Sequence, residues 1–320
     1  MFFAPGRHID NFRKKAESMD KSLDISINIG LDPAIYIGAS FEAPITPLGF
    51  NELSIAGGLR KKPVELVDCI SIQQKAIARA EIVIEGEILP HVRIKEDKNS
   101  KTGKTMPEFL GYTGNANSLL PIVKVKAVTT RKNPILQTLI GPGEEHANLV
   151  GIPTEASIYL KCEESIPGLL KNVYAHSAGG GKLLAILQVK KRNQNDDGMT
   201  RQAAIIALAV YRELKNIILI DEDVDLFDTN DVLWAMQTRY SGDLDTIFIP
   251  GITGHILDPS QSPIYDSRLH TKGSTTKTIF DCTVPYNLKK HFIRTKFKKI
   301  NPEPWIKNII VKNKTIKNHK

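Results

Sequence analysis

Hydrophobic and polar residues alternate with a period of two along several short stretches of the first half of the chain. Asp24–Gly30 reads DISINIG, Glu81–Leu89 reads EIVIEGEIL and Pro121–Thr130 reads PIVKVKAVTT. Such alternation turns one face of a strand to a core and the other to water, and β-branched residues suit it. Pro134–Ile140 predicts a further strand. Short strands punctuated by Gly, Pro and Asn predict a β-rich first domain, a barrel or sandwich, over residues 1–150.

After Gly151-Ile152-Pro153 the period changes. Thr154 is a candidate helix N-cap. Leu184–Lys190 (LAILQVK) predicts a strand after the run Gly179-Gly180-Gly181, and Asn216–Ile220 (NIILI) a strand of buried type. Thr200–Leu214 is apolar at helical spacing; Thr229 or Asn230 caps a helix through Trp234 and Met236; Asp245–Ile249 returns as a strand. Alternating strand and helix predicts an α/β domain with a mixed, partly parallel sheet over residues 151–300, so the fold class is α+β passing into α/β. Residues 301–320 form a basic tail. Internal repeats are absent.

Composition changes this picture little. The 320 residues are 41% hydrophobic and 24% charged, as in an ordinary globular protein. No apolar run approaches the ~18–20 residues of a membrane helix, and the N-terminus lacks the apolar core of a secretory signal. Cys69, Cys162 and Cys282 are few and far apart. They predict reduced thiols in a cytoplasmic protein, each filling the place of a small apolar residue. Charge is more informative once located. The net charge is +8, yet Leu288–Lys320 holds eleven Lys or Arg against one acid, which leaves the other 287 residues at −2. That tail has no RNP, zinc-finger or helix-turn-helix pattern, so basicity does not imply a nucleic-acid partner.

Four constellations combine acids, bases and flexible backbone. Pro5-Gly6-Arg7-His8 and the later Glu52 offer one imidazole and one carboxylate, suitable ligands for Mn²⁺ or Mg²⁺; a solvated terminal histidine and an element-end glutamate explain them equally. In Lys101–Gly114 (KTGKTMPEFLGYTG), Glu108 stands between Pro107 and Phe109, where desolvation raises a carboxyl pKa toward that of a general acid; a surface turn has the same wording. Gly141-Pro142-Gly143-Glu144-Glu145-His146 presents two acids and an imidazole on a stiff turn. Gly251-Ile252-Thr253-Gly254-His255 follows a predicted strand, and ligands of α/β sheets gather at the carboxyl ends of strands. Two further motifs are discounted. His176–Lys182 (HSAGGGK) lacks the spacing of a phosphate loop, and Asp221–Asp225 (DEDVD) lacks the glycine and glutamate of a calcium loop.

Taken together, these segments resemble the UbiD-type decarboxylases, and most closely their hydroxyarylic acid branch, the phenolic acid decarboxylases. The resemblance runs through PGRH (5–8), GLDPAIYIGA (30–39), NELSIAGGLR (51–60), EIVIEGEILP (81–90), TGKTMPEFLGYTG (102–114), GPGEEH (141–146), VYAHSAGGGK (173–182), DEDVDLFD (221–228) and GHILDPSQSP (254–263). It implies a flavin-reductase-like split β-barrel followed by an α/β oligomerisation domain. It also implies prenylated FMN bound through Mn²⁺, with K⁺ beside it, supplied by a prenyl-flavin synthase. On this resemblance His8 and Glu52 are metal ligands, Glu108 is the proton donor, His146 and His255 face flavin and substrate, and Lys182 lies near the cofactor.

The reaction implied is non-oxidative decarboxylation of a 4-hydroxybenzoate-type acid by a cytoplasmic homo-oligomer. Glu108 would protonate the ring carbon, His255 would bind or deprotonate the phenol, and His146 would orient flavin or substrate. Gly103, where many relatives carry another glutamate, points to a phenolic substrate. Family members also have a domain ahead of PGRH carrying an asparagine metal ligand and an active-site arginine, which this sequence is expected to lack. The alternatives are therefore a truncated or non-catalytic assembly component needing a separate N-terminal chain, and a simple FMN oxidoreductase.

Overall fold

The computed structural model describes residues 3, 7–42, 45–255, 257–261, 274–295 and 300–306. Pro5 and Gly6 of the first motif, Ile256, Ser262 and Pro263 of the last, and the tail beyond 306 lie outside the described residues.

The alternating segments pair as expected. β1 (Leu23–Ile29) enters after helix α1 (His8–Glu17), and two short helices, α2 (Pro33–Ser40) and α3 (Leu53–Arg60), follow it. A small ladder joins β2 (Leu66–Asp68) to β3 (Lys75–Ile77). β4 (Ile82–Ile94) then lies antiparallel between β1 and β7 (Leu120–Thr130) in a three-stranded sheet, order β1-β4-β7. Between them β5 (Lys104–Pro107) and β6 (Thr113–Asn115) form a hairpin. The stretch around Glu108 is the tip of that hairpin: the Glu108 N–H donates to the Tyr112 carbonyl at 2.9 Å, and the Gly111 N–H to the Glu108 carbonyl at 2.8 Å.

Two expectations fail at the crossing into the second half. Pro134–Ile140 forms no strand. Among the described residues it has no partner strand, and it is tied by the Ile135 N–H to the Glu81 carboxylate at 3.2 Å, with Ile135, Leu136 and Ile140 exposed. Thr154 caps nothing. Helix α4 runs over Glu144–Ser165 with Gly143 as N-cap and Pro153 in its interior, so it continues across position 150. Glu144 and Glu145 suit the positive end of the helix dipole. The Thr154 and Ser157 hydroxyls donate back to the Val150 and Pro153 carbonyls at 2.7 and 2.6 Å. A proline reads locally as a boundary, but here the packing of a small-residue face (Ala147, Gly151, Thr154, Ile158, Cys162) keeps the helix whole.

The second sheet comprises β8 (Leu170–Ala175), β9 (Leu184–Val189), β10 (Asn216–Asp221), β11 (Thr246–Thr253) and β12 (Ser274–Cys282), in the order β11-β12-β10-β9-β8. β9, β10 and β12 run parallel, while β8 and β11 are antiparallel edges. The sheet is thus mixed, as the pattern predicted. Helix α5 (Asp196–Val210) starts earlier than its apolar spacing suggested and stops at Tyr211; α6 (Thr229–Arg239) is capped by Asp228, whose carboxylate accepts from the Asn230 N–H.

β10 shows why NIILI is apolar throughout. Ile217 and Leu219 join the core beneath α4 and α5 with Ile158, Leu187, Ala204 and Ile279, while Ile218 and Ile220 join the opposite core beneath α6 with Ile186, Val232 and Ala235. Both faces are covered, as in a parallel sheet between helix layers. Met1–Tyr286 makes one compact unit and Asn287–Lys320 a second, in which Trp305 and Ile306 turn back onto the Pro302 carbonyl. Among the described residues no helix is long and apolar enough to cross a membrane.

Candidate active site

His8 opens α1 and Glu52 takes the N-cap position of α3, so two helix starts bring the first candidate pair together. His8 Nδ1 lies 2.7 Å from a Glu52 carboxylate oxygen, and His8 Nε2 lies 3.2 Å from the Thr46 carbonyl. That carbonyl can only accept, so Nε2 carries a proton. A neutral ring then turns its Nδ1 lone pair on the carboxylate, and two electron-rich atoms so close require a proton or a cation between them. The donor set suits a hard divalent cation such as Mn²⁺. Among the described residues no group of three His, Cys, Asp or Glu converges, so the pair supplies two donors. Beside it opens a cleft of about 370 Å³ lined by Arg7, Phe41, Glu42, Thr46 and Leu48.

From this cleft a line of alternating charge runs inward. The Arg7 guanidinium donates to the Phe41 carbonyl at 3.0 Å and pairs with Glu42. Glu42 lies 3.8 Å from Lys182 Nζ, which lies 2.6 Å from Glu213, and Glu213 lies 3.6 Å from His255 Nε2. Burial opposes the charge on Lys182, yet Tyr211, Glu213 and Glu42 hold its ammonium above the ordinary lysine range. Burial likewise opposes ionisation of Glu213, but Lys182 and His255 keep its carboxyl below the usual value.

The line ends on Phe109. Its ring meets His255 edge-on with centroids 4.9 Å apart, and His146 at 6.0 Å. His146 sits in the first turn of α4, not on the preceding turn as its motif suggested, and its buried Nδ1 finds no hydrogen-bond partner among the described residues. Burial, with Lys182 nearby, pushes His146 down; burial outweighs Glu213 to push His255 down as well. Both are neutral bases near neutral pH. Glu108, next to Phe109, has its carboxyl pushed up by desolvation and by the charge of Glu96.

The glycine run explains how these pieces close up. Gly180 has φ +61°, and a Cβ there would stand 2.2 Å from the Phe109 ring; Gly181 has φ +72°, and its Cβ would stand 2.3 Å from the Ala147 carbonyl. HSAGGGK is therefore a packing device that lets Phe109 and α4 press against the loop carrying Lys182.

The site lies at an unexpected end of the sheet. His255 follows β11, but β11 is antiparallel, so its carboxyl end meets the amino ends of β9 and β10, where Lys182 and Glu213 sit. Glu42, Phe109 and Glu213 are site residues that the sequence did not announce, and Arg7 of the PGRH segment gains a role it was not given there. Phe109 read as an apolar neighbour, and Glu213 lies in the unremarkable stretch Arg212-Glu213-Leu214-Lys215.

Comparison with known proteins bears on this arrangement. Residues 1–144 match the model of the UbiD family described as 3-octaprenyl-4-hydroxybenzoate carboxy-lyase Rift-related domain, and residues 147–282 match that of its C-terminal domain. The chain belongs to the UbiD family of carboxy-lyases. It is 51% identical over 296 residues to the gallate decarboxylase of Lactiplantibacillus plantarum, covering 92% of this chain and 60% of that protein. Its fold matches the apo structure of a 3,4-dihydroxybenzoic acid decarboxylase from Enterobacter cloacae with TM-score 0.89 and 62% identity, over 97% of this chain and 63% of the other. An evolved dimeric form of the UbiD-class enzyme HmfF from Pelotomaculum thermopropionicum, in complex with prFMN, matches with TM-score 0.76 and 29% identity over 95% of this chain and 60% of that one. The chain thus spans less than two thirds of the length of these relatives.

Proposed function

We propose that the chain carries the decarboxylation of a hydroxyarylic acid of the 4-hydroxybenzoate type, with prenylated FMN and Mn²⁺ as cofactors and K⁺ as their companion. The observation that carries this reading is the convergence of His255 and His146 on Phe109, beside Glu108, with Lys182 tied to His255 through Glu213 and to the His8–Glu52 cleft through Glu42 and Arg7. High identity to relatives named as gallate and dihydroxybenzoic acid decarboxylases supports the substrate class, and a prFMN-bound neighbour supports the cofactor.

His8 and Glu52 would hold the metal. The prenylated flavin, when bound, supplies an electron sink for the carbon that loses CO₂. Glu108, whose acid form is favoured by its desolvated place and by the charge of Glu96, delivers the proton that replaces the carboxyl group. His255 is a neutral base able to take the phenol proton, and Lys182 is the cation in reach of an anionic group. His146, whose buried Nδ1 has no hydrogen-bond partner among the described residues, orients what lies against Phe109. The split-barrel reading of the three-stranded sheet and its small ladders, a two-domain division near 150, and homo-oligomer assembly belong to the same proposal.

The test is to co-express the chain with a prenyl-flavin synthase, record the bound flavin's spectrum with Mn²⁺ present, and measure CO₂ release from gallate, 3,4-dihydroxybenzoate, vanillate and 4-hydroxybenzoate. Turnover of any of them supports the reading. Bound flavin without turnover, restored by adding the remaining part of a relative as a separate chain, supports the alternative of an assembly component that needs a partner chain. Nicotinamide oxidation with plain FMN would favour an oxidoreductase instead.

A further inference from the structure

We propose that Glu213 is a positioning residue that sets the charge arrangement of Lys182 and His255 through one shared carboxylate. Among the described residues it reaches both, at 2.6 Å from Lys182 Nζ and 3.6 Å from His255 Nε2. Nothing in its local sequence marks it, and the reaction derived above assigns it no step.

The backbone around Glu213 is locked. It lies in the connection between α5 and β10, where the Tyr211 N–H donates to the Ala207 carbonyl and the Leu214 N–H to the Tyr211 carbonyl, both at 3.0 Å, and the Lys215 N–H donates to the Leu183 carbonyl at 2.9 Å. Tyr211 and Leu214, on either side, are buried. From below, Lys277 of β12 is 1% exposed and sends its ammonium to the Arg212 carbonyl at 2.8 Å and the Leu208 carbonyl at 3.3 Å. A buried cation on one carbonyl in the last turn of α5 and one just past its end satisfies acceptors that a helix end leaves open. The carboxylate of the residue after Arg212 therefore projects from a fixed support.

Its effect on His255 follows from the ring's other nitrogen. His255 Nδ1 accepts from the Leu257 N–H at 3.1 Å, so the neutral ring carries its proton on Nε2, toward Glu213. At 3.6 Å the contact is electrostatic rather than a hydrogen bond. The groups facing His255 are Glu213, Lys182, Asp258 and Arg212, and those facing Lys182 are Tyr211, Glu213 and Glu42, with Arg7 behind Glu42. Without Glu213, His255 would face the Lys182 cation with Asp258, itself paired with Lys215, as the remaining carboxylate, and a proton arriving on its ring would have lost its first counter-charge. Lys182 would keep only Glu42, already shared with Arg7.

The consequence for turnover rests on the decarboxylase reading; the consequence for titration does not. The test follows the His255 ring proton by NMR against pH in the full chain, assigned with His255→Gln, in wild type, Glu213→Gln and Lys182→Met. An opposite charge this close shifts a pKa by roughly 1–3 units, so Glu213→Gln should lower the His255 midpoint by about that much and Lys182→Met should raise it. In cofactor-loaded enzyme, Glu213→Gln should lower kcat roughly ten- to hundredfold with little change in KM, the scale of a lost supporting partner. Glu213→Asp, which keeps the charge, should recover part of it. An unchanged midpoint in folded Glu213→Gln overturns the proposal. Should that variant not fold, failure of Lys182→Met to raise the midpoint overturns it. A wild-type chain that releases no CO₂ while the midpoints shift as stated would sink the decarboxylase reading and leave Glu213 in its role.

Discussion

Phe109 stands edge-on against His255, ring centroids 4.9 Å apart with planes at 70°, and the residue before it in the chain is Glu108. A hairpin tip in the first half of the chain is thereby fastened to a loop that follows a strand of the second. Within the tip, Phe109 is 7% exposed while Tyr112 is 61% exposed, so the tip buries one side and leaves the other to water.

The first prediction concerns that carboxyl. Glu108→Gln should abolish decarboxylation, a loss of at least the ~10²–10⁴-fold that a positioned proton donor contributes, while flavin binding survives. Because only the acid form can donate, and desolvation and Glu96 raise its pKa, activity should fall as pH rises through that raised value. The substitution also removes an ionisable group from a site that disfavours its charge, so the melting temperature should hold or rise at neutral pH. Near-native turnover in the variant refutes the assignment.

The second concerns His8 and Glu52. If the electron pairs facing each other at 2.7 Å are reconciled by a cation, Glu52→Gln and His8→Ala should each weaken Mn²⁺ binding. The loss should exceed the ~10–100-fold that follows from removing an outer-shell partner of a metal site. Mn²⁺ electron paramagnetic resonance titration of the full chain measures it. Equal affinity in wild type and both variants would remove the pair from the metal site.

Much of this was legible in the sequence, for reasons that differ by element. β1, β4 and β7 keep a period of two in the residues, although β1 is half-buried along its whole length and Val125 and Val128 of β7 are exposed; β10 buries both faces, and NIILI reports that directly. The failures share a cause. Pro153 reads as a stop because local rules cannot see the sheet against which α4 packs. Pro134–Ile140 has strand-forming residues but finds no strand to pair with. His8, Glu52, Glu108, His146, Lys182 and His255 were reached through resemblance and chemistry, whereas Glu213, Glu42 and Phe109 acquire meaning only when distant segments meet. Nor could spacing show that β11 runs against its neighbours, which places His255 at the amino ends of β9 and β10.

The third prediction tests the packing role of the glycine run. Gly180→Ala places a methyl group where the Phe109 ring stands and demands a left-handed backbone from a residue with a side chain. Overpacking of this kind costs ~1–3 kcal/mol, and the backbone adds about 1 kcal/mol. The melting temperature should drop by several degrees, and the His255 ring resonance should shift as Phe109 moves. Gly198→Ala, in α5 with open space at its Cβ, is the control: it should hold or raise the melting temperature, because alanine suits a helix better than glycine, and leave the His255 resonance unchanged. A Gly180→Ala protein as stable as wild type, with His255 unmoved, would mean that the loop has room to spare.

The fourth prediction is a pH dependence of stability. His146, His176 and His255 are all pushed below the ordinary histidine value of 6.5, chiefly by burial. The unfolded chain therefore binds more protons than the native one once pH drops below that value. Their contribution to stability is complete above about pH 6.5 and is lost as pH falls toward their folded values. Glu213, held below its ordinary 4.5, adds stability that persists above that pH and disappears beneath it. The two windows follow in sequence, so acid should weaken the fold first through the histidines and only later through Glu213. Urea midpoints measured at about pH 7.5 and about pH 5.5 should show the loss, and His255→Gln should flatten part of the slope because glutamine has no proton to take up. A midpoint that stays level across that interval would mean that the three imidazoles are as solvated in the folded chain as in the unfolded one.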